Sequence, residues 1–286
     1  MSLPILNIAA YRFVPLHGLP ALRQRLLDKA LQSELKGTVL LAEEGINLCL
    51  AGPEAGVNAW LAALRSDALF ADLAVKTSWS AVQPFQRLKI KVKAEIIRMN
   101  LPAIKPAAGR ASAVTASTLA RWIAQGHDDS GRPIKLLDTR NGFEVDAGAF
   151  DGALDWRLQK FSDFPAALAA HRAELAGHTI VSYCTGGIRC EKAALLMQGL
   201  GLSDIYQLEG GILKYFEDTQ GQAPGWRGQC FVFDERAGLD TRLLPPPARG
   251  RVGVGVALGR VLELRATEPP PPSPPSPCQG EGATPC

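Results

Sequence analysis

Apolar positions in the first third of the chain fall at two spacings, and the switches between them mark its elements. Residues 5–13 read as a first strand. Leu19, Leu22, Leu26, Leu27 and Ala30 recur at helical spacing and predict a helix over residues 19–31. Two short, apolar runs at residues 37–42 and 46–51 predict strands, with Glu43-Glu44-Gly45 as the turn between them. An amphipathic stretch at residues 57–64, begun near Pro53, predicts a second helix, and residues 73–79 predict another strand.

The order β-α-β-β-α-β implies a ferredoxin-like (acylphosphatase-like) α+β domain, a small sheet with two helices on one face, over residues 1–98. One strand stands apart. In residues 87–93 basic and apolar side chains alternate without a break. Arg87, Lys89, Lys91 and Lys93 should therefore share one face, with Leu88, Ile90 and Val92 buried on the other. Such a stripe serves either as a solvated edge that blocks unwanted strand pairing or as cations tracking a phosphate backbone. Lys76, Trp79 and Phe85 nearby could extend the second use.

Residues 99–125 read as a linker and a short helix capped by Ser or Thr near Thr115. Residues 126–225 read as a second domain. Residues 226–244 should pack back on the body, and the Pro-rich stretch 245–286 reads as disordered.

Composition narrows the function classes. The 286 residues are 47% apolar with a net charge of +3, ordinary for a globular protein and too weakly basic to force a nucleic-acid reading. No apolar stretch is long enough to span a membrane, and the first twenty residues do not read as a secretory signal. The six cysteines are scattered, which suits reduced thiols in the cytoplasm rather than a disulfide scaffold. No Cys-x-x-Cys pair occurs and only four histidines are present, so no metal site is expected.

The chemistry concentrates in residues 179–192. An apolar strand, Thr179–Tyr183, runs into Cys184-Thr185-Gly186-Gly187-Ile188-Arg189, and a helical pattern follows. A cysteine between strand end and helix start faces N–H groups that lack intrahelical partners, and their dipoles favour the thiolate. Gly186 and Gly187 let successive N–H groups converge, and Arg189 adds a permanent charge. Cys184 is the expected nucleophile, residues 185–188 its cradle, and Arg189 the stabiliser of negative charge on sulfur. Cys190 reads as a packed residue or a resolving thiol. No protein partner is evident, and the roles of Cys190 and Cys230 stay open.

This loop resembles the active-site loop of rhodanese domains, six residues from Cys184 to Arg189. The resemblance implies a rhodanese-like α/β domain with a parallel sheet over residues 126–225 and a persulfide on the cysteine; related phosphatases use a loop one residue longer. It extends to Asp138-Thr139-Arg140, Glu144 and Gly148-Ala149-Phe150-Asp151-Gly152-Ala153, and to a strand that ends in Gly210-Gly211. Asp138, Arg140 and Glu144 then read as loop support.

Taken with Lys36-Gly37-Thr38-Val39 through Glu44-Gly45-Ile46-Asn47, Pro84-Phe85-Gln86-Arg87 and Gly228-Gln229-Cys230-Phe231, the chain resembles the bacterial tRNA uridine hydroxylase family over residues 5–240. The resemblance implies oxygen-dependent conversion of the wobble uridine of tRNA to 5-hydroxyuridine, with tRNA as partner and dioxygen as co-substrate. No cofactor motif is evident in the sequence. Some relatives carry a cysteine-rich C-terminal segment, and here a Pro-rich tail stands instead. Two other readings stay open: a sulfurtransferase that moves persulfide sulfur from a thiosulfate-like donor to a thiophilic acceptor, and a binding or sensing module with an inert loop.

Overall fold

The structure, a computed structural model, describes residues 4–246. The expected tail at 245–286 falls almost wholly outside the described residues, as do Cys278 and Cys286. The first half runs β1 (Ile5–Phe13), α1 (Leu19–Gln32), β2 (Lys36–Ala42), β3 (Gly45–Pro53), α2 (Glu54–Arg65), β4 (Lys76–Ser80) and β5 (Leu88–Val92). The sheet order is β4-β1-β3-β2-β5. Four strands pair antiparallel, and β5 adds to the edge parallel to β2.

Both helices cover one face. Ile8, Leu26, Val39, Leu48, Leu50 and Trp60 form its core, and the Trp60 indole N–H donates to the Leu26 carbonyl at 3.2 Å. The other face carries no helix of its own layer. Register places Lys76, Ala9, Cys49, Thr38 and Lys89 in one row across it, and Tyr11, Asn47, Leu40 and Lys91 in the next.

The second half holds β6 (Ser112–Val114), α3 (Ala116–Gln125), β7 (Ile134–Asp138), α4 (Gly142–Ala147), β8 (Gly148–Phe150), β9 (Leu154–Asp155), α5 (Phe164–His171), β10 (Thr179–Tyr183), α6 (Ile188–Gly199), β11 (Ile205–Leu208) and α7 (Gly211–Asp218). Its sheet, β6-β11-β10-β7-β9, is parallel throughout. Every residue of the central β10 is buried, which is why that strand is a continuous run rather than an alternation. β6 lies within the stretch that sequence reading assigned to a linker. Three residues are too few to show a strand pattern, and pairing with β11 makes them one. The expected cap of the next helix is Thr115, whose Oγ1 accepts from the Thr118 N–H at 3.2 Å.

Residues beyond α7 fold back. β12 (Trp226–Gly228) pairs with β8, and β13 (Cys230–Phe231) pairs with β14 (Gly238–Leu239). Arg236 then reaches the first half, donating to Ser78 Oγ at 2.7 Å. Among the described residues no helix is long and apolar enough to cross a membrane.

Ion pairs at the start of α6 fasten the halves together. The Lys192 side chain is 1% exposed, and its Nζ meets Glu44 at 2.8 Å, Glu95 at 2.7 Å and the Ile97 carbonyl at 3.0 Å. One residue earlier, Glu191 accepts from the Tyr11 hydroxyl at 2.7 Å and meets Arg110 at 3.1 Å. Burial pushes the Glu95 carboxyl up, but Lys192 and the N–H groups of Met99 and Asn100 outweigh it and hold the group below its usual range. The pair is therefore intact at neutral pH, and its contribution is lost as pH falls through and below the ordinary glutamate range. Lys192→Met is expected to destabilise the protein by about 3 kcal/mol, since it strands two carboxylates that are mostly out of water. Urea denaturation at neutral pH measures this, and the deficit should shrink in acid.

Candidate active site

Cys184 follows the last residue of β10, and α6 opens four residues later. The sulfur thus lies over the helix N-terminus. Gly187 adopts φ of 98°, a left-handed conformation that a side chain would strain, and its N–H donates to Cys184 Sγ at 3.1 Å. The Gly210-Gly211 turn seats the loop from behind. The Ile212 N–H donates to the Cys184 carbonyl at 3.0 Å and the Leu213 N–H to Thr185 at 3.1 Å. Gly211 has φ of 70°, and a Cβ there would run into the Cys184 carbonyl and come within 2.6 Å of Gly187 N. The second Gly-Gly pair is therefore part of the site.

Two buried ion pairs brace the loop. Arg189 grips Glu144 in bidentate fashion at 2.6 and 2.7 Å. Arg140 grips Asp138 at 2.6 and 2.9 Å, and spends further donors on the carbonyls of Glu144 and Gly148. Sequence reading gave Arg189 to the sulfur and residues 185–188 to the cradle. The structure adds a carboxylate partner for Arg189. The guanidinium is bonded to Glu144 while its charge still acts on the sulfur, and within residues 185–188 it is the Gly187 N–H that donates to Sγ. Thr185 turns its hydroxyl toward Glu144 at 3.4 Å.

Burial pushes the Cys184 thiol up. The neighbouring Cys190 thiol, the Arg189 charge and the N–H groups of Arg189 and Gly187 outweigh it and bring the group down to about 5. Cys190 moves the opposite way, well above the usual thiol range, through burial and the adjacent Cys184 charge. It stays protonated, with Thr139 Oγ1 at 3.7 Å from its sulfur. Cys190 is packed in the first turn of α6, and it also lends its proton to the field around Cys184. Cys230 is pushed up to about 12 by burial.

Cys184 opens onto a cleft of about 450 Å³. The loop forms one wall. The helix-free face of the first sheet forms the other, through Tyr11, Asn47, Cys49 and Lys76, and Phe233 from the C-terminal extension also lines it. Cys49, which also lines the cleft, is exposed, and Cys184 is the thiol whose surroundings favour the thiolate at neutral pH. Nothing in the local pattern of the first strand singled out Tyr11, and Glu191 and Lys192 stood in the loop motif without an assigned partner.

The cationic stripe lies on the same sheet face, at its far edge. Arg87, Lys91 and Lys93 are exposed and Lys89 is half-buried. The expected apolar side is less regular: Ile90 is buried and Leu88 half-buried, but Val92 is 42% exposed, because it belongs to an edge strand at the limit of the core. Among the described residues no group of three or more His, Cys, Asp or Glu side chains is placed to hold a metal.

Two family models match the chain, the UPF0176 acylphosphatase-like domain over residues 5–96 and the rhodanese-like domain over residues 115–218. A protein of Variovorax paradoxus named tRNA uridine(34) hydroxylase is 58% identical over 259 residues, covering 89% of this chain and 98% of that protein. The chain belongs to the tRNA uridine(34) hydroxylase family. Other members of the hydroxylase family include proteins of Bordetella petrii, 59% identical over 85% of this chain and 96% of that protein, and Delftia acidovorans, 59% identical over 84% and 92%. In this hydroxylase-family chain the acylphosphatase-like half supplies the sheet wall and the rhodanese-like half the loop.

The thiolate can be read directly. An ultraviolet pH titration, taken as the difference between the wild type and Cys184→Ser, is expected to show one thiol ionising near pH 5. Cys190→Ala should move that midpoint upward, because it removes a group that favours the charged sulfur.

Proposed function

We propose that this chain hydroxylates the wobble uridine, position 34, of tRNA to 5-hydroxyuridine, with dioxygen as co-substrate, in the cytoplasm. The observation that carries the reading is the pairing of a thiolate-favouring loop with a cleft whose opposite wall belongs to the acylphosphatase-like sheet. Cys184 acts as the nucleophile and sulfur carrier. The Gly187 and Arg189 N–H groups hold its negative charge, and Glu144, Asp138 and Arg140 keep loop and guanidinium in position. Arg87, Lys89, Lys91 and Lys93 meet phosphates of the tRNA along the face that leads into the cleft. A sulfurtransferase needs only the loop, so the interdomain cleft supports the hydroxylase reading more strongly.

Nucleoside mass spectrometry of tRNA from cells lacking the protein is expected to show loss of 5-hydroxyuridine and its derivatives, restored by the wild type and not by Cys184→Ser. Unchanged tRNA with a lost thiosulfate sulfurtransferase activity would select the alternative.

Charge reversal at Lys89 and Lys91 should weaken binding to many tRNAs alike. Each phosphate contact removed should flatten the log–log salt dependence by roughly 0.7 to 0.9. A salt series of tRNA affinities measures this, and an unchanged slope would leave both lysines as guards of the β5 edge.

A further inference from the structure

Among the described residues Lys76 is a cation without an ion-pair partner. It stands half-buried on β4 and lines the same cleft as Cys184. Among the described residues no carboxylate lies within salt-bridge distance of it and no hydrogen bond engages its Nζ. Its Nζ faces the Tyr11 ring, whose centroid lies 5.6 Å away. The Tyr11 hydroxyl is itself committed to Glu191 at 2.7 Å. Burial holds the Lys76 ammonium below its usual range, and the next largest influence on it is the charge of Cys184. An ammonium partly withdrawn from water, with three donors free and a reactive sulfur in its field, is unusual in a resting structure.

The row that contains Lys76 explains the space around it. Its cross-strand neighbour is Ala9, and the next position is Cys49. Two small side chains leave the floor of the cleft open between the lysine and the middle of the sheet. Of the other cations of the cleft, Arg189 is paired with Glu144, and Arg98 and Lys160 are exposed.

We propose that Lys76 is a specificity-determining residue that donates a hydrogen bond to the O4 carbonyl of the target uracil. The inference rests on the tRNA uridine reading above and deepens it. In uracil the carbon to be hydroxylated, C5, is bonded to C4, which bears O4. A base that presents C5 to Cys184 therefore brings O4 into the same small space, whereas its phosphate lies beyond the ribose. An ammonium has only donors. It satisfies a carbonyl oxygen and opposes the amino group that cytosine carries at the same place, so one residue selects uridine over cytidine.

The experiment compares two anticodon stem-loop RNAs that differ only in U or C at the wobble position. Binding of each is measured across a salt series for the wild-type full chain, Lys76→Met and Lys76→Arg, beside nucleoside mass spectrometry of the same proteins in the deletion strain. The wild type is expected to favour U. Lys76→Met should lose affinity for the U stem-loop by roughly 10- to 100-fold and leave the C stem-loop within about twofold. Lys76→Arg, which keeps a donor-only cation, should retain part of the preference.

Equal losses for U and C with a flatter salt slope would make Lys76 a phosphate contact and overturn the proposal, as would unchanged binding of both. If the wild type restores 5-hydroxyuridine in cells while either of those results holds, only the Lys76 assignment falls. If the wild type fails to restore it, the tRNA reading falls and the Lys76 assignment with it.

Discussion

The arrangement depends on one buried ammonium. Lys192 is the fifth residue of α6, eight residues after Cys184, and reaches across to Glu44 in the β2–β3 turn and to Glu95 beyond β5. Burying a cation is costly unless carboxylates and carbonyls replace its water, and here two carboxylates and one carbonyl do so. The start of α6, which completes the cradle for the thiolate, thus also draws the first sheet over it. Tyr11 and Glu191 repeat the link one residue away. The shape of the cleft and the charge on its sulfur therefore share a cause.

Within the second half, the site is built so that its fixed charges cancel. Asp138 with Arg140 and Glu144 with Arg189 are matched, buried and bidentate. Neither pair leaves a net charge to be compensated by substrate. What remains to favour the thiolate is the residual pull of Arg189, the Cys190 proton and aligned N–H groups, which work well in a medium that screens them little. On the first half the balance differs: Lys76 carries a charge that nothing among the described residues matches. The two walls thus differ in kind, one with matched ion pairs around a sulfur anion and the other with an ammonium unpaired among the described residues.

Much of this was legible from residue order. The β-α-β-β-α-β pattern, the strand before Cys184 and the glycines around it follow from local periodicity and backbone freedom, which act over a few residues. Asp138, Arg140 and Glu144 were legible as loop support through resemblance. What escaped was nonlocal. The pairing of β6 with β11 needs a partner nearly a hundred residues away in sequence. Val92 was expected inside because alternation says which face a side chain takes, not how far the core extends beneath it. The Glu144 partner of Arg189 escaped because it stands 45 residues away and no spacing rule joins them. Tyr11 and Lys192 look like an ordinary strand residue and an ordinary helix residue until the two halves are packed together.

The central claim is that the reacting base lies between two walls, one from each half. The most direct test places a photoreactive uridine at the wobble position of a substrate tRNA and maps its crosslinks by peptide mass spectrometry. The account predicts crosslinks to both the sheet face around Tyr11, Asn47 and Cys49 and the loop from Cys184 to Arg189. Crosslinks confined to the rhodanese-like half, or lying outside the cleft altogether, would contradict it.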